Sequence, residues 1–158
     1  MQSNLELDAK LVAALYDTDL YAWAKANAQL LRQGHYALVD TQHLIEEIED
    51  MGKSQQHAIA SFLRNLLMHL LKWQYQADKQ SRSWKFTIRN ARQEIDDLVE
   101  ENPSLSRLPG ELLQRTYQKA KQLAADETGI PLSVFPDICP YTIEQALSGE
   151  WLPDSFRE

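Results

Sequence analysis

His43 and Glu47 stand four residues apart in a stretch of strong acidity. Asp40, Glu46, Glu47, Glu49 and Asp50 follow one another with no base between them. On a helix, positions i and i+4 share one flank. An imidazole and a carboxylate so placed can ligate one metal ion. His69, in the next apolar stretch, is the natural third ligand. Metal sites in helix bundles draw on facing helices, and the di-iron type uses Glu together with a Glu-x-x-His pair. Here Glu46-x-x-Glu49 lacks that histidine. A solvated acidic face with ordinary hydrogen bonding explains the same residues and is the favoured reading.

Residues 72–92 carry the opposite sign. Lys72, Lys79, Arg82, Lys85, Arg89 and Arg92 meet a single acid, Asp78. Trp73, Tyr75, Trp84 and Phe86 are interleaved with them. Arginines beside exposed aromatics can hold phosphates and stack bases. Trp73 and Trp84, however, fall on apolar helix faces. The first expectation is ion pairing between 72–92 and 40–50, which would fix the order of the helices without any ligand. A protein partner held by Arg82, Lys85, Arg89 and Arg92 ranks second, and nucleic acid third.

The remaining reactive side chains say less. His69 borders an apolar face, where a histidine is usually hydrogen-bonded and structural. His57 falls on the opposite, solvent side. Cys139 is the only cysteine, which excludes an internal disulfide and a cysteine metal cluster. It lies in a Pro-rich apolar segment and reads as a buried structural thiol. Ser81 and Ser83 read as helix caps. No Gly-rich phosphate loop, nucleophile elbow or His-Glu-x-x-His pattern is present.

The elements that would position these residues are helices. Ile59 to Gln76 runs without Gly or Pro, and Ile59, Phe62, Leu63, Leu66, Leu67, Leu70, Leu71 and Trp73 cover about half its circumference. Ser61, Arg64, Asn65, Met68 and Lys72 occupy the rest, and the polar residues among them argue against a membrane span. Before it, Asp17 or Thr18 caps a helix with Leu20, Trp23, Asn27, Leu30 and Leu31 on one side, and Gly34 ends that helix. Asp40 or Thr41 caps the acidic helix, whose stripe is Leu44, Ile45, Ile48 and Met51. Gly52 is expected to break or bend it; an unbroken helix from 40 to 76 is the alternative. Ser81 or Ser83 starts a helix with Trp84, Ile88, Ala91, Ile95 and Leu98 aligned. The next aligns Leu112, Leu113, Thr116, Ala120, Leu123 and Ala124. Residues 130–141 hold three prolines and read as extended chain before a short last helix capped by Thr142.

The expected fold is therefore all-α: an up-and-down bundle of four to five main helices, a Pro-rich extended C-terminal segment and a short final helix. Residues 1–16 read as a tail or short docking helix, 17–153 as a single domain and 154–158 as a tail. A net charge of −7 favours solubility and weighs against nonspecific DNA binding. No signal peptide is visible, so a reducing cytoplasm is expected.

The segments DLYAWAKANAQLLRQG at 19–34, EEIEDMGK at 46–53, HLLKWQYQ at 69–76, SRSW at 81–84 and FPDICPYT at 135–142 occur in this order. Together they resemble the bacterial, mainly cyanobacterial, domain-of-unknown-function family twenty-nine. The resemblance implies an all-helical fold and carries no catalytic residues with it. The expected role is binding a protein partner, with a homodimer as a further option and no membrane. A metal-dependent, hydrolase-like enzyme using His43, Glu47 and His69 is the alternative. A nucleic-acid binder using 72–92 is the second alternative. A cofactor is not expected outside the metal reading.

Overall fold

Long runs of Leu, Ala, Glu, Gln, Lys and Arg lose little side-chain freedom in a helix, and helix is what this chain forms. A computed structural model describes the backbone of residues 2–156 and the side chains of residues 8–156. The helices are α1 (Gln2–Thr18), α2 (Leu20–Arg32), α3 (Thr41–Tyr75), α4 (Arg82–Glu101), α5 (Leu108–Thr128) and α6 (Ile143–Leu147). No strand occurs among the described residues, so the chain is all-α, as its periodicity predicts. It forms two compact units, Met1–Lys53 and Ser54–Glu158.

Side-chain chemistry sets the helix ends. Asp19, rather than Asp17 or Thr18, caps α2, and its carboxylate accepts from the Ala22 N–H at 3.0 Å. Asp17 and Thr18 are still inside α1. Gly34 follows α2 with φ of +74°, a left-handed conformation that favours glycine. Ser81 caps α4 by accepting from the Trp84 N–H at 3.2 Å. Thr142 and Gln145 form a reciprocal capping box at α6. The expected break at Gly52 is corrected: α3 runs through it for 35 residues. A glycine costs a helix only about 1 kcal/mol, a small cost for a helix whose later turns pack so extensively.

In the first unit, Trp23, Asn27 and Asp40 are buried. The acidic helix departs from expectation. Leu44 is half-buried, but Ile45, Ile48 and Met51 are 51%, 61% and 69% exposed. The reason is rotational. Residues advance about 100° around a helix, and the side of α3 that meets α1 is the one bearing His43 and Glu47. The aliphatic stripe lies roughly a quarter-turn away. Leu20 and Leu31 of α2 are likewise exposed.

In the second unit, Ile59, Leu63, Leu66, Leu67, Leu70 and Leu71 of α3 are fully buried. All but Ile59 join Ile88, Ala91 and Ile95 of α4, Tyr117, Ala120 and Ala124 of α5, Phe135, Tyr141 and Ala146 in one core. Each buried Leu contributes roughly 1.5–3 kcal/mol. Met68, assigned to the polar side of α3, is buried as well, because the core wraps further round the helix than eight periodic residues indicate. The three-proline stretch contains a 3-10 turn at Leu132–Val134. It is tied to α5 where the Tyr117 hydroxyl donates to the Pro136 carbonyl at 2.7 Å and the Gln118 amide donates to the Asp137 carbonyl at 2.7 Å.

Candidate functional site

The first unit holds a connected set of polar side chains. α2 supplies Trp23 and Asn27, the turn before α3 supplies Asp40, α3 supplies His43 and Glu47, and α1 supplies Tyr16. The Trp23 indole N–H donates to Asp40 Oδ2 at 2.9 Å, and His43 Nδ1 lies 2.6 Å from the same oxygen. The Asp40 backbone N–H donates to Asn27 Oδ1 at 2.8 Å, and the Asn27 amide donates to the Trp23 carbonyl at 2.9 Å. Tyr16 stacks on His43, ring centroids 4.0 Å apart and 14° from parallel. Its hydroxyl donates to Glu47 Oε1 at 2.6 Å.

The charges follow from these contacts. The hydrogen bond to Asp40 raises the His43 pKa above the ordinary histidine value, against a smaller opposing effect of burial. Burial works against ionisation of Asp40, but hydrogen bonds from His43 and Trp23 outweigh it and hold its carboxyl below the usual range. The Tyr16 phenol is pushed up to about 12, chiefly by its hydrogen bond to Glu47. A carboxylate on Nδ1 fixes the orientation of an imidazole and leaves Nε2 for a proton or a ligand.

His43 and Glu47 thus share a flank, as their spacing predicts, with Tyr16 touching both. His69, 22 residues beyond Glu47 in α3, belongs to the second unit. Its Nδ1 is 2.9 Å from the Asn65 carbonyl, and burial lowers its pKa. Among the described residues no three His, Cys, Asp or Glu side chains are grouped to hold a metal ion. Cys139 is half-buried, and burial pushes its thiol up.

The basic stretch divides between structure and surface. Arg92 is buried, which corrects its assignment to a binding surface. Its Nε and Nη2 donate to the carbonyls of Ala146 and Trp151 at 2.7 Å each, and Nη1 lies 3.4 Å from that of Gly149. It therefore satisfies carbonyls at the end of α6 and just beyond it, the groups a helix C-terminus leaves unpaired. Lys72 pairs with Glu127 of α5 at 2.7 Å, and Asp50 with Lys53 at 3.5 Å. Lys72 Nζ also sits 4.7 Å from the Trp84 ring centroid.

What stays at the surface is one face of α4. Arg82, Lys85, Phe86 and Arg89 follow at i, i+3, i+4 and i+7 and line one shallow pocket. Phe86 is 68% exposed. Arg82, Lys85 and Arg89 make no ion pair among the described residues. Lys85 Nζ lies 5.4 Å from the Trp73 ring centroid, which steadies it beside the pocket.

Sequence reasoning did not single out Tyr16 or Trp23 as companions of His43. Tyr16 is 31 residues from Glu47, and nothing local marks that pairing. The exposure of Phe86 was legible, since it falls off the Trp84–Ile88–Ala91 stripe. Residues 15–152 match the family model described as Domain of unknown function DUF29. No curated protein and no solved structure matches the chain.

Proposed function

Since the chain belongs to the DUF29 family, whose description names no activity, its role is read from its own side chains, and we propose that it is a cytoplasmic helical module that binds a protein partner through the outer face of α4. What supports the reading is the set of three cations without carboxylate partners around an exposed Phe86. Such a face suits an acidic segment that carries an apolar anchor residue. Charge steers the encounter, and the ring supplies desolvated contact area. Nucleic acid suits it less well. The chain carries a net charge of −7, which repels a polyanion beyond the local patch. Trp73, which would extend a stacking platform, is packed inside.

The test is affinity capture with the full chain after nuclease treatment. One protein is expected in stoichiometric amount, and the doubly reversed variant Arg82→Glu, Arg89→Glu is expected to lose it while remaining folded, because both side chains are exposed. Capture that disappears with nuclease, or that survives charge reversal, sinks the proposal.

A further inference from the structure

A second positively charged site lies within the second unit, between α3 and α5. A groove of about 270 Å³ is walled by His57, Ser61 and Arg64 on α3 and by Arg115, Thr116 and Lys119 on α5, with Ala60 and Leu112 completing it. The spacing on each helix explains the convergence. Residues 57, 61 and 64 stand at i, i+4 and i+7, and residues 112, 115, 116 and 119 at i, i+3, i+4 and i+7. Each set forms one ridge, and the two ridges line a common groove.

The chemistry of the lining is one-sided. Two guanidinium groups, an ammonium and an imidazole face one space, and no carboxylate lines it. The chain has 23 acids against 16 Lys and Arg, so the exclusion of acids here is local. The ion pairs of the described residues use Lys53, Lys72, Lys121 and His43 and leave Arg64, Arg115 and Lys119 without an anion. Arg64 is only half exposed to water. Crowding like charges at a partly desolvated site is unfavourable until an anion enters it. The hydroxyls add to this. Thr87 and Thr128 spend theirs on the carbonyls of Ser83 and Ala124. Thr116 and Ser61 have no such bond among the described residues and remain available as donors.

We propose that this groove binds the phosphate group of a small phosphomonoester. Two guanidinium forks match phosphate oxygens, the ammonium adds charge, and the hydroxyls donate to the remaining lone pairs. Ala60 and Leu112 give the organic part of the ligand an apolar contact. The volume lies just under the roughly 300–1,000 Å³ of pockets for drug-sized molecules, so the ligand is a phosphate with a short carbon body. The same headgroup chemistry occurs on a soluble metabolite and on a phosphatidic acid surface. The site is separate from the α4 face and stands whether or not that face binds protein.

The experiment is calorimetry and amide NMR of the full chain with glycerol 3-phosphate and with inorganic phosphate, alongside co-sedimentation with phosphatidic acid vesicles and with phosphatidylcholine vesicles. Glycerol 3-phosphate is expected to shift amides at 57–64 and 112–119. Arg64→Gln and Arg115→Gln should each weaken binding about tenfold, the loss of one charged contact. Arg64→Lys should retain part of it, and Arg32→Gln, at an exposed position outside both sites, should leave it unchanged. Thermal unfolding of each variant separates lost binding from lost fold. Binding to phosphatidic acid vesicles that depends on Arg64, without binding of the soluble ester, supports the same site with a lipid source. Absence of binding by both, equal binding by the folded Arg64→Gln and Arg115→Gln variants, or shifts produced by RNA and not by either phosphomonoester would overturn the proposal.

Discussion

His43 and His69 share one helix, and their pKa values are shifted in opposite directions. Asp40 raises the pKa of His43, and burial lowers that of His69. The raised His43 value stabilises the fold at pH below the ordinary histidine range, and that stability is lost as pH rises through the raised pKa. The depressed Asp40 value works from the other side. Its stabilisation is present above the ordinary carboxylate value and is lost as pH falls through the lowered one. The pair is therefore most stabilising between these limits. For His69 the fold favours the neutral ring, and stability falls as pH drops through the ordinary histidine range. Ring-proton NMR is expected to give His43 a midpoint above the ordinary value and His69 one below it. Coinciding midpoints would contradict the arrangement, and His43→Gln should remove the loss of stability on the alkaline side. The common flank of His43 and Glu47 was legible from their spacing. The roles of Asp40, Trp23 and Tyr16 were not, because they depend on how neighbouring helices meet, and hydrophobic periodicity carries no information on that.

Helix ends and faces were legible to different degrees. Gly34, Ser81 and Thr142 act at their positions for local chemical reasons that four or five residues reveal. Gly52 misled because propensity is a weak prior against a long helix with a strongly packed second half. Its helical conformation and the free space around it, with nothing within 4 Å of an added Cβ, make a prediction. Gly52→Ala should raise stability by about 1 kcal/mol, measured by chemical denaturation. An unchanged or lowered midpoint would mean that the residue is not helical in solution. The Ile45–Ile48–Met51 stripe shows the opposite failure. Its period was read correctly, yet it faces away from the contact that α3 makes with α1, so an amphipathic pattern identified the helix without identifying the buried side.

The two units differ greatly in what they bury. In the first, Trp23, Asn27 and Asp40 are the buried side chains among those described; the second encloses a core of aliphatic and aromatic side chains from four helices. Local opening costs least where few apolar contacts are lost. Hydrogen exchange is therefore expected to be faster across α1 and α2 than across residues 59–73 of α3, by several orders of magnitude at the slowest amides. Uniform protection would show that the units open together. The all-α class and the central role of residues 59–73 were legible because Leu density alone announces a buried helix. The division of the chain was not, since it falls within one helix and no linker composition marks it.

The indole of Trp23 gives the first unit an optical signature of its own. Of the four tryptophans, the other three, Trp73, Trp84 and Trp151, all lie beyond residue 53. Replacing those three with phenylalanine leaves a single tryptophan, whose N–H is committed to a carboxylate and whose ring meets Tyr16 edge-on at 5.1 Å. Its emission colour and lifetime then follow the Asp40–His43 network directly, so one spectrum can register ligand, acid or heat acting on that end of the chain.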